Sequence, residues 1–465
     1  MFRYEVVTAQ VREWIAAGVL KQGDRLLSVR EMSVKLGFSA VTVHQAYGVL
    51  QDEGLIESRP RSGFYVAEQS RQLPEFTDPL DGPSADDPSA GADFAMPRDR
   101  NQLAGDGLGS AFISDDLSPH DELYRLMTAN LRWENAKMQQ VGWQGLEALR
   151  EAIGKRIAVN AVNARARDIL VTSSLHSSVG VCLDLLAPEG SKVLVETPTD
   201  TAIVSSVLAR KLIPVEIYSH PLFGVDPEQY QYLMENNEIA ACIVSPCNHS
   251  PTGVSYRIDV ARRIAEVAAR HRVPIIENLS GQELTYGAVP YDLAQFDARN
   301  IVVRAGGYAD SLGPRFGVGW VSLPRREHWK VKLRESNLAG EWARQKAIAA
   351  FLSGRGFDRH VRNLRETVSA RTRRGLALIF QHFPESCTVS RPPGGYMCWV
   401  RGPKGFNAVE SERLAREVNA SFSPGPLFSV TRAFGNFIAL NLSHAWTEER
   451  EQQLVSVARL LSQAS

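Results

Sequence analysis

The chain has 465 residues, too many for a single hydrophobic core, and its charge is balanced, with 52 Lys and Arg against 52 Asp and Glu. That balance points neither toward nor away from a nucleic-acid partner. No uninterrupted apolar run reaches the ~18 residues of a membrane span, and the first residues, Met-Phe-Arg-Tyr-Glu-Val, hold an acid and no apolar signal core. The five cysteines form no CxxC pair and leave one over, which reads as reduced core thiols of a cytoplasmic protein with no metal centre.

From Phe2 to Ala17 apolar residues recur at helical spacing (Val6, Val7, Val11, Trp14, Ile15) until Gly18 and Gly23-Asp24 break the pattern. Ser28 with Glu31 three residues on forms a capping box for a helix over 29–36, and Gly37 supplies the turn. Ser39 caps a third helix over 40–53, whose buried face is Val43, Ala46, Tyr47 and Leu50. Two short strands, 55–58 and 63–66, are joined by Arg59-Pro60-Arg61-Ser62. Three short helices and a hairpin predict a winged helix-turn-helix over residues 1–66, mainly α. By count this segment carries eight Lys/Arg and seven Asp/Glu, so any grip on DNA must come from placement. The start of a recognition helix enters the major groove, which here exposes Val41, Thr42, His44 and Gln45. Gln45 can read an adenine edge with both amide atoms, while His44 and Thr42 reach bases or phosphates. The wing arginines Arg59 and Arg61 suit the minor groove or its flanks.

Residues 67–110 are rich in Pro, Gly, Asp and Ser without sustained periodicity, and predict an acidic flexible linker. Beyond it, from 111 to 465, short β-rich runs alternate with helices: strands at 168–172, 192–196, 214–217, 240–245, 274–277, 301–304 and 317–322, with helices over 177–186, 201–212 and 260–271. Such alternation predicts a mostly parallel α/β sheet covered on both faces, over about 140–330. A smaller α+β part, about 335–465, has strands near 387–390, 396–400 and 437–442.

Specific motifs carry two resemblances. The segments Gly23-Asp-Arg-Leu-Leu-Ser-Val-Arg-Glu31, Leu36-Gly-Phe-Ser39, Thr42-Val-His-Gln-Ala-Tyr47 and Ser62-Gly-Phe-Tyr-Val66 resemble the DNA-binding domain of the GntR family. That resemblance implies a DNA-facing set of Arg30, Ser39, Thr42, His44, Gln45, Arg59, Arg61 and Gly63. The stretch Ala305-Gly-Gly-Tyr-Ala-Asp310-Ser-Leu-Gly-Pro-Arg-Phe-Gly-Val-Gly-Trp320 resembles the lysine loop of fold-type I pyridoxal-phosphate (PLP) enzymes, in the form worn by MocR-type regulators. Framework motifs of that fold follow in family order at Gly145–Arg150, Val195–Thr199, Ser250–Gly253, Pro393–Gly395 and Pro424–Phe428. The resemblance implies a winged helix fused to an aminotransferase-like domain, a homodimer, and duplex operator DNA as the partner.

The positions that would hold and use PLP are replaced inside this framework. The lysine whose amine must condense with the cofactor aldehyde is Asp310, and a carboxylate forms no Schiff base. By the same resemblance the phosphate-neutralising arginine is Gly317, the ring-hydroxyl asparagine is Ser250, the pyridinium aspartate is Asn278, the following tyrosine is Ser280, and the substrate-carboxylate arginine is Ala439. Ser174 and His176 stand before the phosphate helix, and Asp200 replaces an aromatic. No covalent PLP is therefore expected. Lost cations and gained carboxylates imply a pocket of reversed polarity, holding a cationic or neutral polar effector by Asp310, Asp200, Asn278, His176, His249 and Ser250. Arg304 or Arg315 folding back onto Asp310 would instead close the site. Two further readings are a working PLP transaminase using Lys192, Lys330 or Lys332, and a large domain that only dimerises.

Overall fold

A computed structural model of the chain describes residues 3–16, 19–21, 23–52, 55–59, 62–66, 73–78, 82, 107–133, 141–158, 164–287, 291–323 and 342–464. Two compact units emerge: Met1–Leu73 with the short stretch Ala377–Gln381, and Pro74–Leu376 with His382–Ser465.

In the first unit helices α1 (Arg3–Ala16), α2 (Val29–Leu36) and α3 (Ala40–Asp52) precede strands β1 (Ile56–Arg59) and β2 (Gly63–Val66). The capping box forms as its sequence dictates. Glu31 N donates to Ser28 Oγ at 3.3 Å and Ser28 N donates to Glu31 Oε2 at 2.7 Å. Gly37 ends α2 in the left-handed region at φ 70°, which a glycine adopts without a Cβ penalty. Val43, Ala46, Tyr47 and Leu50 of α3 are all fully buried, together with Val7 and Val11 of α1. Val6, on the same apolar repeat, instead faces solvent. The wing pairs antiparallel with Ile56 opposite Val66 and Arg59 opposite Gly63.

The second unit holds an eight-stranded sheet in the order β3-β10-β9-β8-β7-β4-β5-β6. In chain order its strands are β3 (Ile169–Thr172), β4 (Lys192–Thr197), β5 (Ile213–His220), β6 (Gly224–Val225), β7 (Ile239–Val244), β8 (Ile275–Asn278), β9 (Val302–Gly307) and β10 (Gly319–Ser322). Strands β5, β4, β7, β8 and β9 run parallel, whereas β10 lies antiparallel between β9 and β3. The near-continuous apolar runs are explained by burial on both faces. Val193, Val195, Ile243, Ile276 and Val303 pack beneath helices α6 (Leu175–Leu186) and α7 (Thr201–Ala209). Their chain neighbours Leu194, Cys242, Val244, Ile275 and Val302 pack on the opposite face, against α8 (Pro227–Asn236) and α9 (Ile258–His271). This is the two-residue period of a strand.

Several helices lie outside the sequence expectation, among them α4 (His120–Trp133), α5 (Glu147–Ile157) and the long helix Arg355–His382. The smaller part is an antiparallel sheet β11-β12-β14-β13, with β11 (Thr388–Val389), β12 (Met397–Arg401), β13 (Ser423–Pro424) and β14 (Phe437–Asn441). Its core is aromatic, with Trp399 stacked on Phe437 at 5.3 Å and edge-on to Phe428 and Phe434.

Part of the segment read as a flexible linker is packed structure. Val389 N donates to the Pro74 carbonyl at 2.9 Å, Glu75 lies 3.6 Å from Arg391, and Phe76, 1% exposed, stacks on Phe437 at 6.2 Å. His220 Nε2 meets the Asp78 carbonyl at 3.0 Å. The buried ring, the ion pair and the backbone hydrogen bonds together offset the cost of ordering this stretch, which one phenyl ring alone would not. Phe76→Ala should therefore destabilise the large unit by about 3 kcal/mol, read from chemical denaturation. A change within about 0.5 kcal/mol would show the strap to be mere spacer.

Candidate functional site

The carboxyl ends of the parallel strands position the candidate pocket, the usual place for a ligand in an open α/β sheet. Asp200 follows β4, Ser245 to Ser250 follow β7, Asn278 ends β8, and Asp310 lies just beyond β9 in the short helix α10 (Ala309–Leu312). Ser174 follows β3 and caps α6, its Oγ accepting from Ser177 N at 3.2 Å.

Two adjoining pockets share Asp200, Ser280 and Asp310. The smaller, about 40 Å³, reaches Asn278, His249, Ser250, Asn248 and Tyr396. The larger, about 130 Å³, is lined by Ala111, Phe112, Leu175 and Ala202, and by His176 and Ser174. Of the six residues named for a ligand, five line the smaller pocket and His176 lines the larger, with Asp200 and Asp310 common to both. Among the described residues, neither pocket is lined by a lysine or an arginine.

Asp310 is the focus of this space. Tyr396 Oη donates to its Oδ1 at 2.6 Å. The carboxylate keeps some surface on the pocket, yet protein encloses it elsewhere. Burial pushes its pKa up to about 6, the Tyr396 hydrogen bond opposes that rise, and the charge of Asp200 adds to it. Asp200 caps α7, with Ala202 N donating to its Oδ1 at 2.7 Å. Asn278 is engaged at both ends of its amide, donating to Ser245 Oγ at 3.1 Å and accepting from Ser280 N at 3.0 Å. His176 Nδ1 lies 3.0 Å from Ser206 Oγ and 3.2 Å from the Ala202 carbonyl.

His249 adds no positive charge, because burial drives its pKa down to about 3. Its Nε2 stands 3.5 Å from Glu196 Oε2 and makes no hydrogen bond among the described residues. Glu196 is raised to about 7 by burial, against hydrogen bonds from Tyr256, Ser245 N and Ser219. Ser280 Oγ and Asn248 Oδ1, both on the smaller pocket, are likewise enclosed and without a hydrogen-bond partner among the described residues.

The arginines that threatened to close the site go elsewhere. Arg304 is buried beside Asp292, at 3.8 Å, with Ser322 at 3.4 Å, and Arg315 is exposed 3.6 Å from Asp115. Ala439 lies inside β14, fully buried. Lys192 starts β4, at the opposite end of that strand from Asp200, and donates to Asn237 at 2.9 Å; Lys330 and Lys332 lie outside the described residues. Sequence reasoning missed Tyr396 and the apolar wall of Phe112 and Leu175. Tyr396 directly follows the Pro-Gly-Gly turn, and a phenol beside a pocket motif was the available signal.

In the first unit Arg30, His44 and Gln45 are exposed, as is Val41. Ser39 Oγ accepts from Thr42 N at 3.2 Å and lies 2.8 Å from Thr42 Oγ1, so this pair first serves the helix start. Arg59 lies over Tyr65 at 4.4 Å and is held 2.7 Å from Glu57 Oε1. Gly63 has φ 116° and sits against the Arg25 side chain. Arg61 lies outside the described residues. The five cysteines are free and buried. Among the described residues, no cluster suits a metal ion and no helix is long and apolar enough to cross a membrane.

Fold and site together define a helix-turn-helix domain fused to an aminotransferase-type domain. Residues 3–66 match the model described as bacterial regulatory proteins, gntR family. Over residues 120–443 the chain belongs to the aminotransferase class I and II family. Its relatives include the uncharacterized HTH-type transcriptional regulator YdcR of Escherichia coli (strain K12), 25% identical with both chains fully covered. The probable rhizopine catabolism regulatory protein MocR of Rhizobium meliloti is 24% identical over 89% of this chain and 85% of that one. In structure it is similar to LysN, the alpha-aminoadipate aminotransferase of Thermus thermophilus, with TM-score 0.72 at 19% identity, covering 78% of this chain and 94% of that chain.

The raised pKa of Asp310 makes a prediction. The folded carboxyl titrates near 6, above its ordinary 3.8, so the fold holds that proton more tightly than the unfolded chain does. The resulting stabilisation is complete below about 4 and is lost as pH rises through about 6. Asp310→Asn keeps an acceptor for Tyr396 without the charge. At pH 7 it should exceed the natural protein in stability by about 3 kcal/mol, and the two should converge near pH 4 in chemical denaturation.

Proposed function

We propose that this protein is a DNA-binding transcriptional regulator whose aminotransferase-like domain dimerises and senses a cationic or neutral polar small molecule, without PLP and without transaminase activity. The observation that carries the reading is Asp310, a protein-enclosed carboxylate bonded to Tyr396 in a pocket that no described lysine or arginine lines. PLP fits these residues poorly. Its aldehyde needs an amine, its phosphate needs positive charge, and its ring nitrogen stays protonated only beside a carboxylate, where Asn278 offers an amide. The gntR-type domain supports the DNA half of the proposal. Its exposed Arg30, His44 and Gln45 give one phosphate contact and two groove-reading side chains. A single such reader makes a small interface, so a dimer bound to two half-sites gains by effective concentration. Regulation from the cytoplasm follows from a DNA partner.

Fluorescence titration of the full chain on operator DNA tests the first half. Arg30→Ala and Arg59→Ala should each weaken binding several-fold for every sequence and reduce its salt dependence, whereas Gln45→Ala should relax preference at one base pair. Binding that survives all three at moderate salt would place the DNA face elsewhere. Borohydride reduction after incubation with PLP tests the second half. No lysine should be labelled, and a stoichiometric adduct on one lysine would return the protein to the transaminases.

A further inference from the structure

We infer that the space shared by Asp200 and Asp310 holds the ammonium of a compact primary amine lacking a carboxylate, with its apolar body in the larger pocket against Phe112 and Leu175. This rests on the proposal that the large domain is a small-molecule sensor, and it names the class of ligand.

Charge makes the first selection. Two carboxylates face the shared space, and none of the described lining residues is a cation. His249 is held neutral by burial. A ligand carboxylate or phosphate would meet two like charges that the N-termini of α6 and α7 offset only in part. An α-amino acid is therefore disfavoured against the same molecule without its carboxylate.

Hydrogen-bonding capacity makes the second. An ammonium offers three donors and accepts nothing. Asp310 Oδ1 is taken by Tyr396, which leaves Oδ2 for the ligand. The Asp200 carboxylate lines both pockets, with Ala202 N on its Oδ1. Ser280 Oγ lies on both pockets and lacks a partner among the described residues. Two carboxylates and a hydroxyl around one space offer an ammonium acceptors and a cation's counter-charge. A metal ion is worse served, since among the described residues no His, Cys, Asp or Glu cluster could ligate one. Asn248 Oδ1 is a further group of a residue lining the smaller pocket without a hydrogen bond among the described residues, whereas His249 Nε2 faces Glu196 Oε2 at 3.5 Å.

Volume makes the third selection. The larger pocket, about 130 Å³, is near the ~150 Å³ of an apolar cavity that takes up benzene. Its walls include Ala111, Phe112, Leu175, Ala202 and Ala309. A body of about six carbon atoms fills it.

Calorimetry on the full-length protein provides the test, with benzylamine, benzyl alcohol, phenylglycine and PLP as probes. Benzylamine should bind at least tenfold more tightly than benzyl alcohol, which lacks the charge, and than phenylglycine, which adds the carboxylate. Asp310→Asn should cost benzylamine at least tenfold. Ala202→Leu, which fills the larger pocket and leaves both carboxylates, should do the same. Affinity should also rise from pH 5 to pH 7 as Asp310 ionises, with Tyr396 and Asp200 facing it, Glu283 near enough to feel its charge, and His249 already neutral. If benzyl alcohol binds as well as benzylamine and still depends on Ala202, the amine inference fails while the sensing proposal stands. If phenylglycine binds best, the exclusion of carboxylates is wrong. If no probe binds, or PLP binds tightly and Asp310→Asn leaves it unchanged, the inference and the proposal beneath it both fall.

Discussion

Strand β10 runs antiparallel between β9 and β3, and it fits only because two of its contacts tolerate no Cβ. A Cβ on Gly306 would lie 2.6 Å from the Trp320 ring, and one on Gly319 would lie 2.2 Å from the Ser174 carbonyl. The wedge pins the end of β3, with Ser174 and the start of α6, to the end of β9, with Asp310. Ser178 reinforces the junction, bonding Thr172 Oγ1 at 2.7 Å and the Gly306 carbonyl at 3.3 Å. Leu175 closes over Gly307, where an added Cβ would stand 3.4 Å from its own. The separation of pocket wall and carboxylate is thus set by backbone packing, which yields little, and not by loop conformation. A cavity bounded in this way keeps its dimensions.

What the sequence made legible divides along the range of the interactions. Helix α2 falls on its expected bounds and α3 within one residue of them, because capping and turn residues act within three or four positions. All strands of the large sheet but the two-residue β6 were legible to within three residues at each end, since fully buried runs bounded by turns announce themselves. The helix Arg355–His382 was not. It carries seven arginines between 355 and 374, and its packing face shows only against the elements it covers. Strand β13 is two residues long and exists only by pairing with Ile438 and Ala439. Val6 shared the apolar repeat of α1 and still faces water, since periodicity does not say which edge of a stripe is covered.

The pocket follows the same division. Its six candidate residues lay at framework positions ordered by the strand ends, so their convergence was readable from motif order. The partner of Asp310 was not, because Tyr396 is 86 residues away and belongs to the smaller sheet's approach. The docking of Phe76 on Phe437 was hidden for a related reason. A stretch whose composition is that of a tether can still dock where one aromatic ring finds a cavity, and composition averages that ring away.

The field of the pocket depends on more than its carboxylates. Helices α6 and α7 both begin here, each presenting about half a positive charge at its N-terminus. Those two ends sum to roughly one positive charge against two carboxylates. With Asp310 ionised the balance is about one negative charge, and with Asp310 protonated it is near zero. The proton on Asp310 therefore decides whether the cavity is near neutral or negative. Tyr396 pulls toward the ionised form and Asp200 toward the protonated one, so the cavity lies close to the point where its preference changes. Phosphate carries most of its second charge at neutral pH and meets the cavity in its negative state. An aliphatic ammonium, charged across that whole range, meets a field that turns in its favour as Asp310 ionises. One aspartate at the position of the family lysine thus does more than remove an amine, because its charge offsets the two helix ends that meet at the cavity.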